Sequence, residues 1–169
     1  MIETYATEDI DAGDKPSIFL AGPTPRGYSH AVSWRPGACD LLEKLGFTGQ
    51  VFIPEDRTGI FHGNYDGQVE WEEKALHAAS CIMFWVPRSL PEMPGFTTND
   101  EWGFWKTSGK VTWGAPPEAE KVSYQWYYAR KFNVLTANTL EESCRNAIKV
   151  ANERFSELSS RSVGVTVHQ

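Results

Sequence analysis

Five short apolar runs recur along the chain, each ended by proline, glycine or a polar turn, and they predict buried strands. The runs are Ser17–Ala21, Gln50–Ile53, Cys81–Val86, Val111–Trp113 and Asn133–Thr136. The third run is apolar at every position, which is typical of a central parallel strand covered by helices on both faces. The pattern therefore predicts the strands of one parallel sheet.

Longer segments with helical spacing separate the predicted strands. We expect helices at about residues 34–45, 68–79, 100–107, 118–131 and 140–158. Ser33 can cap the first helix and Gly46 can end it. Strands that alternate with helices give a parallel sheet with right-handed crossovers, so we expect an α/β fold. In such sheets the ligand binds beyond the carboxyl ends of the strands, here between the first and third predicted strands.

Acidic side chains crowd the start of the chain, before the first predicted strand. We expect residues 1–15 to form a flexible acidic lead-in. The 169 residues suit one ordinary domain, and no internal repeat or linker divides them. Residues 16–160 are therefore expected to fold as a single domain, with residues 161–169 as a tail.

The composition is that of a globular protein, with 41% hydrophobic and 22% charged residues. The formal net charge of −6 argues against a duplex nucleic-acid partner, because that affinity comes mainly from cations that contact phosphates. A mononucleotide is compatible with this charge, since one phosphate needs only one or two local cations or a helix N-terminus. Arg26, Arg35, Arg57 and Arg88 lie near predicted strand ends and could supply those cations.

Membrane segments, disulfides and metal sites find no support in the sequence. No apolar stretch approaches the ~20 residues that span a bilayer, and the first residues lack the basic start of a signal peptide. The three cysteines form no CxxC pair, and the four histidines show no metal-ligand spacing. We therefore expect a cytoplasmic protein with no membrane partner, no metal and no organic cofactor.

The loop after the first predicted strand is a candidate binding site. Gly22 and Pro23 open it, and Thr24 and Arg26 offer a hydroxyl and a cation where the strand ends. The spacing is neither that of a dinucleotide-binding fingerprint nor that of a P-loop. The alternative interpretation is a plain turn with a surface arginine, but the position at the expected ligand crevice favours a substrate-binding loop.

A second candidate site follows the third predicted strand and centres on Glu101. Thr98 or Asn99 can cap the predicted helix, which puts Glu101 in the first turn. The helix N-terminus would then keep this carboxylate ionised and ready for nucleophilic attack. Trp102, Phe104 and Trp105 provide apolar walls for a base, and Gly103 leaves room for a sugar. Asn99, beside Glu101, is also expected to contact the substrate. The alternative interpretation is a capping carboxylate beside aromatic core residues.

A third candidate site lies where the second predicted helix begins. Glu70, Glu72 and Glu73 place three carboxylates within four positions, and Glu72 or Glu73 could be the second acid of a glycoside-type pair. Such chemistry uses two carboxyl groups across an oxocarbenium-like transition state. A solvated acidic helix turn is the alternative interpretation.

With these motifs the chain resembles the nucleoside 2-deoxyribosyltransferase-like family. The similar segments are Ile18–Thr24, Ser33–Arg35, Phe52–Glu55, Gln68–Glu72, Ile82–Pro87 and Gly114–Pro117. The resemblance extends from about Ser17 to Asn133. It implies a flavodoxin-like three-layer sandwich whose five-stranded parallel sheet has the order 2-1-3-4-5.

The resemblance also implies catalytic roles. The family pattern Gly-Thr-x-x-Glu-Leu-Gly-Tyr-Ala is similar to Phe96–Phe104, which makes Glu101 the nucleophile that attacks the anomeric carbon. A second base or water would then resolve the glycosyl-enzyme. The family's acid falls on Glu73, with Glu72 one position away, and would position a sugar hydroxyl or assist protonation. The loop after the first strand would line the sugar or its 5′ end, with Arg26 on any phosphate.

Departures from the family pattern leave the substrate open. Trp105 stands in place of the usual alanine, and Ser80 or Cys81 in place of a frequent aspartate. Three functions are compatible: a nucleoside deoxyribosyltransferase, an N-glycoside hydrolase of a nucleoside 5′-monophosphate, and a non-catalytic nucleotide-binding module. Relatives of this type are commonly homo-oligomers in which one subunit completes its neighbour's pocket. The aromatic helix around residues 123–128 is the expected interface of a homodimer or higher homo-oligomer.

Overall fold

The computed structural model describes residues 1–11, 13–27, 30–58 and 64–164, which form a six-stranded sheet flanked by five helices. The strands are β1 (Ile2–Tyr5), β2 (Ser17–Ala21), β3 (Gln50–Ile53), β4 (Cys81–Trp85), β5 (Val111–Gly114) and β6 (Leu135–Ala137). The helices are α1 (Arg35–Lys44), α2 (Tyr65–Ala78), α3 (Phe96–Trp105), α4 (Ser123–Lys131) and α5 (Leu140–Gly164). None of these helices combines the length and the apolar character needed to cross a bilayer.

All neighbouring strands run parallel, in the order β1-β3-β2-β4-β5-β6. Phe19 of β2 lies opposite Phe52 of β3 on one side and Ile82 of β4 on the other. The five predicted strands are present and lie in the predicted order, which confirms the α/β fold with helices on both faces of a parallel sheet. The sheet has one strand more than predicted.

The additional strand, β1, corrects the prediction for the start of the chain. Residues 2–5 of the expected flexible lead-in pair with β3 at the outer edge of the sheet. Thr4 is buried, and its Oγ1 accepts a hydrogen bond of 2.8 Å from Nε2 of Gln50. Glu8, just beyond the strand, forms an exposed ion pair of 2.7 Å with Arg57. The acidic composition led to the wrong prediction of a flexible segment, because an edge strand has a solvated side that tolerates charged residues.

Several helix boundaries also differ from the predictions. Helix α4 begins at Ser123 rather than near residue 118, and α5 runs to Gly164, into the expected tail of residues 161–169. Residues 165–169 lie outside the described part of the chain. Ser33 does not cap α1 in the usual way; its hydroxyl accepts from the N–H of Arg35 and donates to the carboxylate of Glu55.

Side chains alternate between two cores on opposite faces of the sheet. Trp71 of α2 and Trp102 of α3 belong to the core on one face, with Phe84 of β4 beneath Trp102. Leu42 of α1 and Ala147 of α5 belong to the core on the other face. From β2 the chain passes through α1 on one face to β3, and from β3 it crosses β2 through α2 on the other face to reach β4. The carboxyl ends of β2 and β4 therefore form the switch point of the sheet.

Candidate active site

A cleft of about 730 Å³ opens between α2 and α3 at this switch point. Its lining comes from the loop after β2, from one face of α2 and from one face of α3. The lining residues are Gly22, Pro23, Thr24, Arg26, Arg35, Pro54, Tyr65, Gln68, Val69, Glu72, Glu73, Leu76, His77, Pro94, Gly95, Phe96, Thr97, Thr98, Asp100, Glu101, Phe104 and Trp105. The volume lies within the range of ordinary small-molecule sites.

Two half-buried carboxyl groups face each other across the cleft. Glu72 comes from α2 and Glu101 from α3, and the negative charge of Glu72 raises the pKa of Glu101. Ionisation of both carboxyls is unfavourable, because each is partly buried and the two negative charges repel. Once Glu72 is ionised, Glu101 therefore loses its proton less readily.

The protonation state of Glu101 differs from the prediction. Helix α3 begins at Phe96 after Gly95, whose left-handed backbone (φ 62°, ψ 50°) starts the helix without a side-chain cap. Glu101 is therefore in the second turn, beyond the reach of the helix N-terminus. Burial, and then the charge of Glu72, raise its pKa to about 8. The expectation of a carboxylate held ionised by a helix end is wrong; the ligand-free protein holds Glu101 mostly protonated at neutral pH.

Glu72, rather than Glu73, is the acid that faces Glu101. Burial raises the pKa of Glu72, although Gln68 donates a 2.8 Å hydrogen bond to its Oε1 and opposes that rise. Glu73 also lines the cleft, but it is exposed to solvent. Glu73 was predicted because it precedes the third predicted strand by the number of residues found in the family. In the structure, however, the more buried of the two acids on α2 is Glu72.

The loop after β2 forms the floor of the cleft, with all four of its predicted residues in the lining: Gly22, Pro23, Thr24 and Arg26. Position 22 accepts only glycine, because a Cβ there would lie 2.1 Å from the carbonyl oxygen of Trp85 and 2.8 Å from the ring of Trp34. The backbone of the loop thus lies against the end of β4, next to the carboxyl pair.

Arg35, the first residue of α1, lies beneath this loop with only 2% of its surface exposed. Its Nε donates to the carbonyl of Leu20 at 3.1 Å, and Nη2 donates to that of Gly22 at 2.7 Å. Nη1 donates to Oγ1 of Thr24 at 3.0 Å and to Oε1 of Glu55 at 2.6 Å. The guanidinium therefore joins the ends of β2 and β3 and reaches the cleft wall.

Three predicted binding residues do not line the cleft. The Oδ1 of Asn99 accepts from Nη2 of Arg88 at 2.6 Å and from Nε2 of Gln125 at 2.8 Å, on the other side of α3. Trp102 is 2% exposed and packs under the helix, 4.8 Å from the ring of Trp113. Gly103 is exposed, and a Cβ there would meet nothing within 4 Å. Asn99 and Trp102 therefore hold α3 on the sheet, so that Glu101 turns into the cleft.

Exposed apolar side chains surround the mouth of the cleft. Phe104 and Trp105, two of the predicted apolar walls, line it, and 70% of Phe104 is exposed. The sequence analysis missed Tyr65 and Val69 on the α2 side and Phe96, 69% exposed, on the α3 side. Their positions follow from helical spacing: residues 65, 69, 72 and 76 recur every three to four positions along one face of α2. That spacing could have revealed the α2 wall once Glu72 was chosen as the inward-facing acid.

The two cleft walls are joined at the end remote from the loop. The ammonium of Lys110, just before β5, donates to the carbonyls of Leu76, His77 and Ala79 at 2.7, 2.9 and 3.0 Å. It also lies 4.5 Å from the centre of the Trp105 ring in α3. Lys110 thus caps the C-terminus of α2 and contacts α3 at the same time.

A second cavity of about 710 Å³ adjoins the cleft and shares Thr24, Arg26, Pro54 and Gln68 with it. Glu55 lines this second cavity. Other nucleophiles and metal ligands are not brought together: the three cysteines are buried free thiols. Across the described residues, no group of His, Cys, Asp and Glu side chains is placed to hold a metal ion; His62 and His168 lie outside them.

Asn99→Ala should lower stability and leave substrate binding unchanged. The substitution removes the shared acceptor of Arg88 and Gln125, which should cost about 1–2 kcal/mol and lower Tm by roughly 2–8 °C. Gly103→Ala, on the same helix, is the control and should raise Tm slightly, because alanine favours the helix and has open space. Calorimetry and KM measurements check both; a large rise in KM with unchanged Tm for Asn99→Ala would contradict this assignment.

Glu101→Gln should stabilise the protein, and more so at high pH. The folded-state pKa of about 8 lies above the ordinary 4.5, so the protonated carboxyl's contribution is fully present below about pH 4.5 and lost as pH rises through about 8. Glutamine does not ionise, so the Tm advantage of the variant should grow from pH 5 to pH 9 and reach at least ~2–4 °C. Glu73→Gln, which removes an exposed carboxyl, is the control. A Tm difference independent of pH would show that Glu101 titrates normally.

Comparison with protein families bears on most of this site. The family described as nucleoside 2-deoxyribosyltransferase like matches residues 15–119, which is more than half of the chain and includes β2 to β5, α1 to α3 and the whole cleft lining. Comparison with curated proteins gives no match. The chain therefore belongs to the nucleoside 2-deoxyribosyltransferase-like family.

Proposed function

We propose that this protein is an enzyme that cleaves the N-glycosidic bond of a nucleoside and transfers the sugar to another base. Glu101 is the nucleophile and Glu72 the proton donor and acceptor. The observation that carries the proposal is the carboxyl pair in the cleft, with the pKa of Glu101 raised to about 8. Family membership supports the reaction class.

The raised pKa suits the reaction because the pair then holds one proton at neutral pH. Base release needs one carboxylate to attack the anomeric carbon and one proton for the departing nitrogen. In the ligand-free protein this proton is mainly on Glu101, so the reaction begins with its transfer to Glu72. The carboxylate of Glu101 then bonds to the anomeric carbon while the bond to the base breaks. The electron pair of that bond goes to the base nitrogen, which takes the proton from Glu72. A singly protonated pair thus supplies both requirements.

The second half of the reaction reverses these transfers. The nitrogen of an incoming base attacks the anomeric carbon, the ester bond breaks, and its electron pair returns to Glu101. The proton of the incoming base returns to Glu72, which restores the starting state. Water in place of a base would give hydrolysis through the same intermediate. The apolar side chains at the mouth, Tyr65, Phe96 and Phe104, favour an aromatic acceptor over water.

The charges of the cleft favour an uncharged nucleoside over a 5′-monophosphate. Four carboxyls line it, from Glu72, Glu73, Asp100 and Glu101, against the two guanidiniums of Arg26 and Arg35. The guanidinium of Arg35 already donates hydrogen bonds to Gly22, Thr24 and Glu55, so its N–H groups are engaged within the protein. A doubly charged phosphate would therefore meet Arg26 and a surplus of negative charge. The hydrolase of nucleoside monophosphates is the second candidate, and Arg26 is the residue that would serve it.

Assembly into a homo-oligomer remains part of the proposal. In α4, Tyr124 and Tyr127 are exposed, whereas Trp126 turns inward onto Trp113. The expected aromatic interface is therefore narrower than the sequence pattern indicates, and its exposed part is the tyrosine face. The exposed phenylalanines at the cleft mouth add a second apolar area that a neighbouring subunit could cover.

Glu101→Gln should abolish base release, with a loss of at least ~10³-fold in kcat. Glu72→Gln should lower kcat by about 10²–10⁴-fold, because it removes the proton donor. Glu73→Gln is the matched control, one position along the same helix, and should keep activity within a few-fold. The assay is chromatography of a panel of nucleosides and 5′-monophosphates, with and without an added base.

The panel separates the three functions that the sequence leaves open. Exchange of the base on a nucleoside supports the transferase, and free sugar phosphate without exchange supports the hydrolase. Loss of activity in Glu73→Gln but not in Glu72→Gln would reverse the assignment of the acid. No turnover of any substrate by the wild-type protein would refute the catalytic proposal and leave the binding module.

The pH profile of kcat/KM should fall as pH rises through about 8. Above that pH the pair loses its only proton, so no proton is available for the departing base. At low pH a second proton removes the nucleophile, which gives a bell-shaped profile. Steady-state rates between pH 4 and 10 check this. A profile that keeps rising to pH 10 would mean that Glu101 must be ionised without a proton on Glu72.

A further inference from the structure

We propose that Arg35 is a positioning residue whose buried charge controls how tightly the Glu72–Glu101 pair holds its proton. The inference rests on the proposed role of that pair. It assigns to the first residue of α1 a function in the reaction, although Arg35 need not touch the reacting atoms.

The first ground is the fixed geometry of the guanidinium. Four of its five N–H groups donate to Leu20, Gly22, Thr24 and Glu55, all at 3.1 Å or less. A side chain held at four points and 2% exposed keeps its charge at one place in the wall of the cleft. A fixed charge in a poorly hydrated wall acts on its neighbours more strongly than a mobile surface charge.

The second ground is an asymmetry between Arg35 and its counter-ion. Arg35 lines the cleft that contains Glu72 and Glu101, whereas Glu55 lines the adjoining cavity. The hydroxyl of Ser33 donates to both oxygens of Glu55, at 2.8 and 2.9 Å, and holds it on that side. Arg35 therefore borders the cleft of the carboxyl pair and Glu55 does not, so the positive charge acts on the pair more than the negative charge does.

The other charged groups around the pair act differently. Glu73, His77 and Asp100 also line the cleft, and Asp100 raises the pKa of Glu101. Arg26 contributes a second cation from the loop. The charge of Arg35 lowers the pKa of both Glu72 and Glu101, against the effect of burial. Arg35 thereby favours the ionised form of both carboxyls and opposes the effect of burial on the pair.

Two variants separate the charge of Arg35 from its structural role. Glu55→Gln removes the counter-ion and leaves Arg35 unopposed. The double variant Arg35→Met/Glu55→Gln removes both charges, which avoids an uncompensated buried ion. The two differ only at position 35, so their comparison isolates the guanidinium.

The readout is ¹³C NMR of glutamate side-chain carboxyls in the full-length, ligand-free protein, with the Glu101 signal assigned by its absence in Glu101→Gln.

The Glu101 midpoint should fall by about one pH unit in Glu55→Gln, and it should rise by about one pH unit from there in the double variant. The high-pH limb of kcat/KM should move in the same directions. Equal midpoints in the two variants, with reduced activity in both, would show that Arg35 is only structural. If the double variant does not fold, Glu55→Gln decides alone: an unchanged or higher midpoint overturns the proposal.

The NMR readout also separates this proposal from the proposed function. Opposite movements of the midpoint in a protein that turns over no nucleoside would support the role of Arg35 and refute the N-glycosidic reaction. Turnover with a midpoint that does not respond to position 35 would do the reverse. Each proposal can thus fail without the other.

Discussion

The partial burial of two carboxyl groups in one cleft is the constraint on which the rest of the site depends. Each of Glu72 and Glu101 would be an ordinary surface acid on an isolated helix. Between α2 and α3, burial raises the pKa of both, and the charge of Glu72 raises that of Glu101 further. In the proposed reaction, this unequal pair supplies a nucleophile and a proton carrier. The fold contributes by bringing two helices to opposite sides of one strand end.

The residues that hold Glu72 and Glu101 in position lie around the C-terminal ends of several strands of the sheet. Trp102 fixes the rotation of α3 from below, and Asn99 fixes it from the side through Arg88. The loop after β2 can lie against β4 because Gly22 has no side chain, and Arg35 holds that loop from the other side. These residues are costly to change although they do not react, since loss of any of them would alter where the carboxyls point.

The sequence predicted the sheet well because parallel strands in a core are recognisable by unbroken apolar runs. It failed for β1, where an edge strand carries acidic residues, and for the start of α3, where a left-handed Gly95 replaces a side-chain cap. The error at α3 also reversed the expected protonation of Glu101, since a shift of four residues removes it from the helix end. Glu72 could not be separated from Glu73 by spacing, because only packing decides which helical face turns inward.

Lys110 has a consequence for the shape of the cleft that goes beyond its role as a cap. Its ammonium is bonded to the last carbonyls of one wall and lies over an aromatic ring of the other. The contacts of this one side chain thus tie the two walls together at that end, whereas the other end is bounded by the loop that Arg35 holds. A shorter side chain at position 110 would therefore separate the walls there and leave the last carbonyls of α2 without their donor.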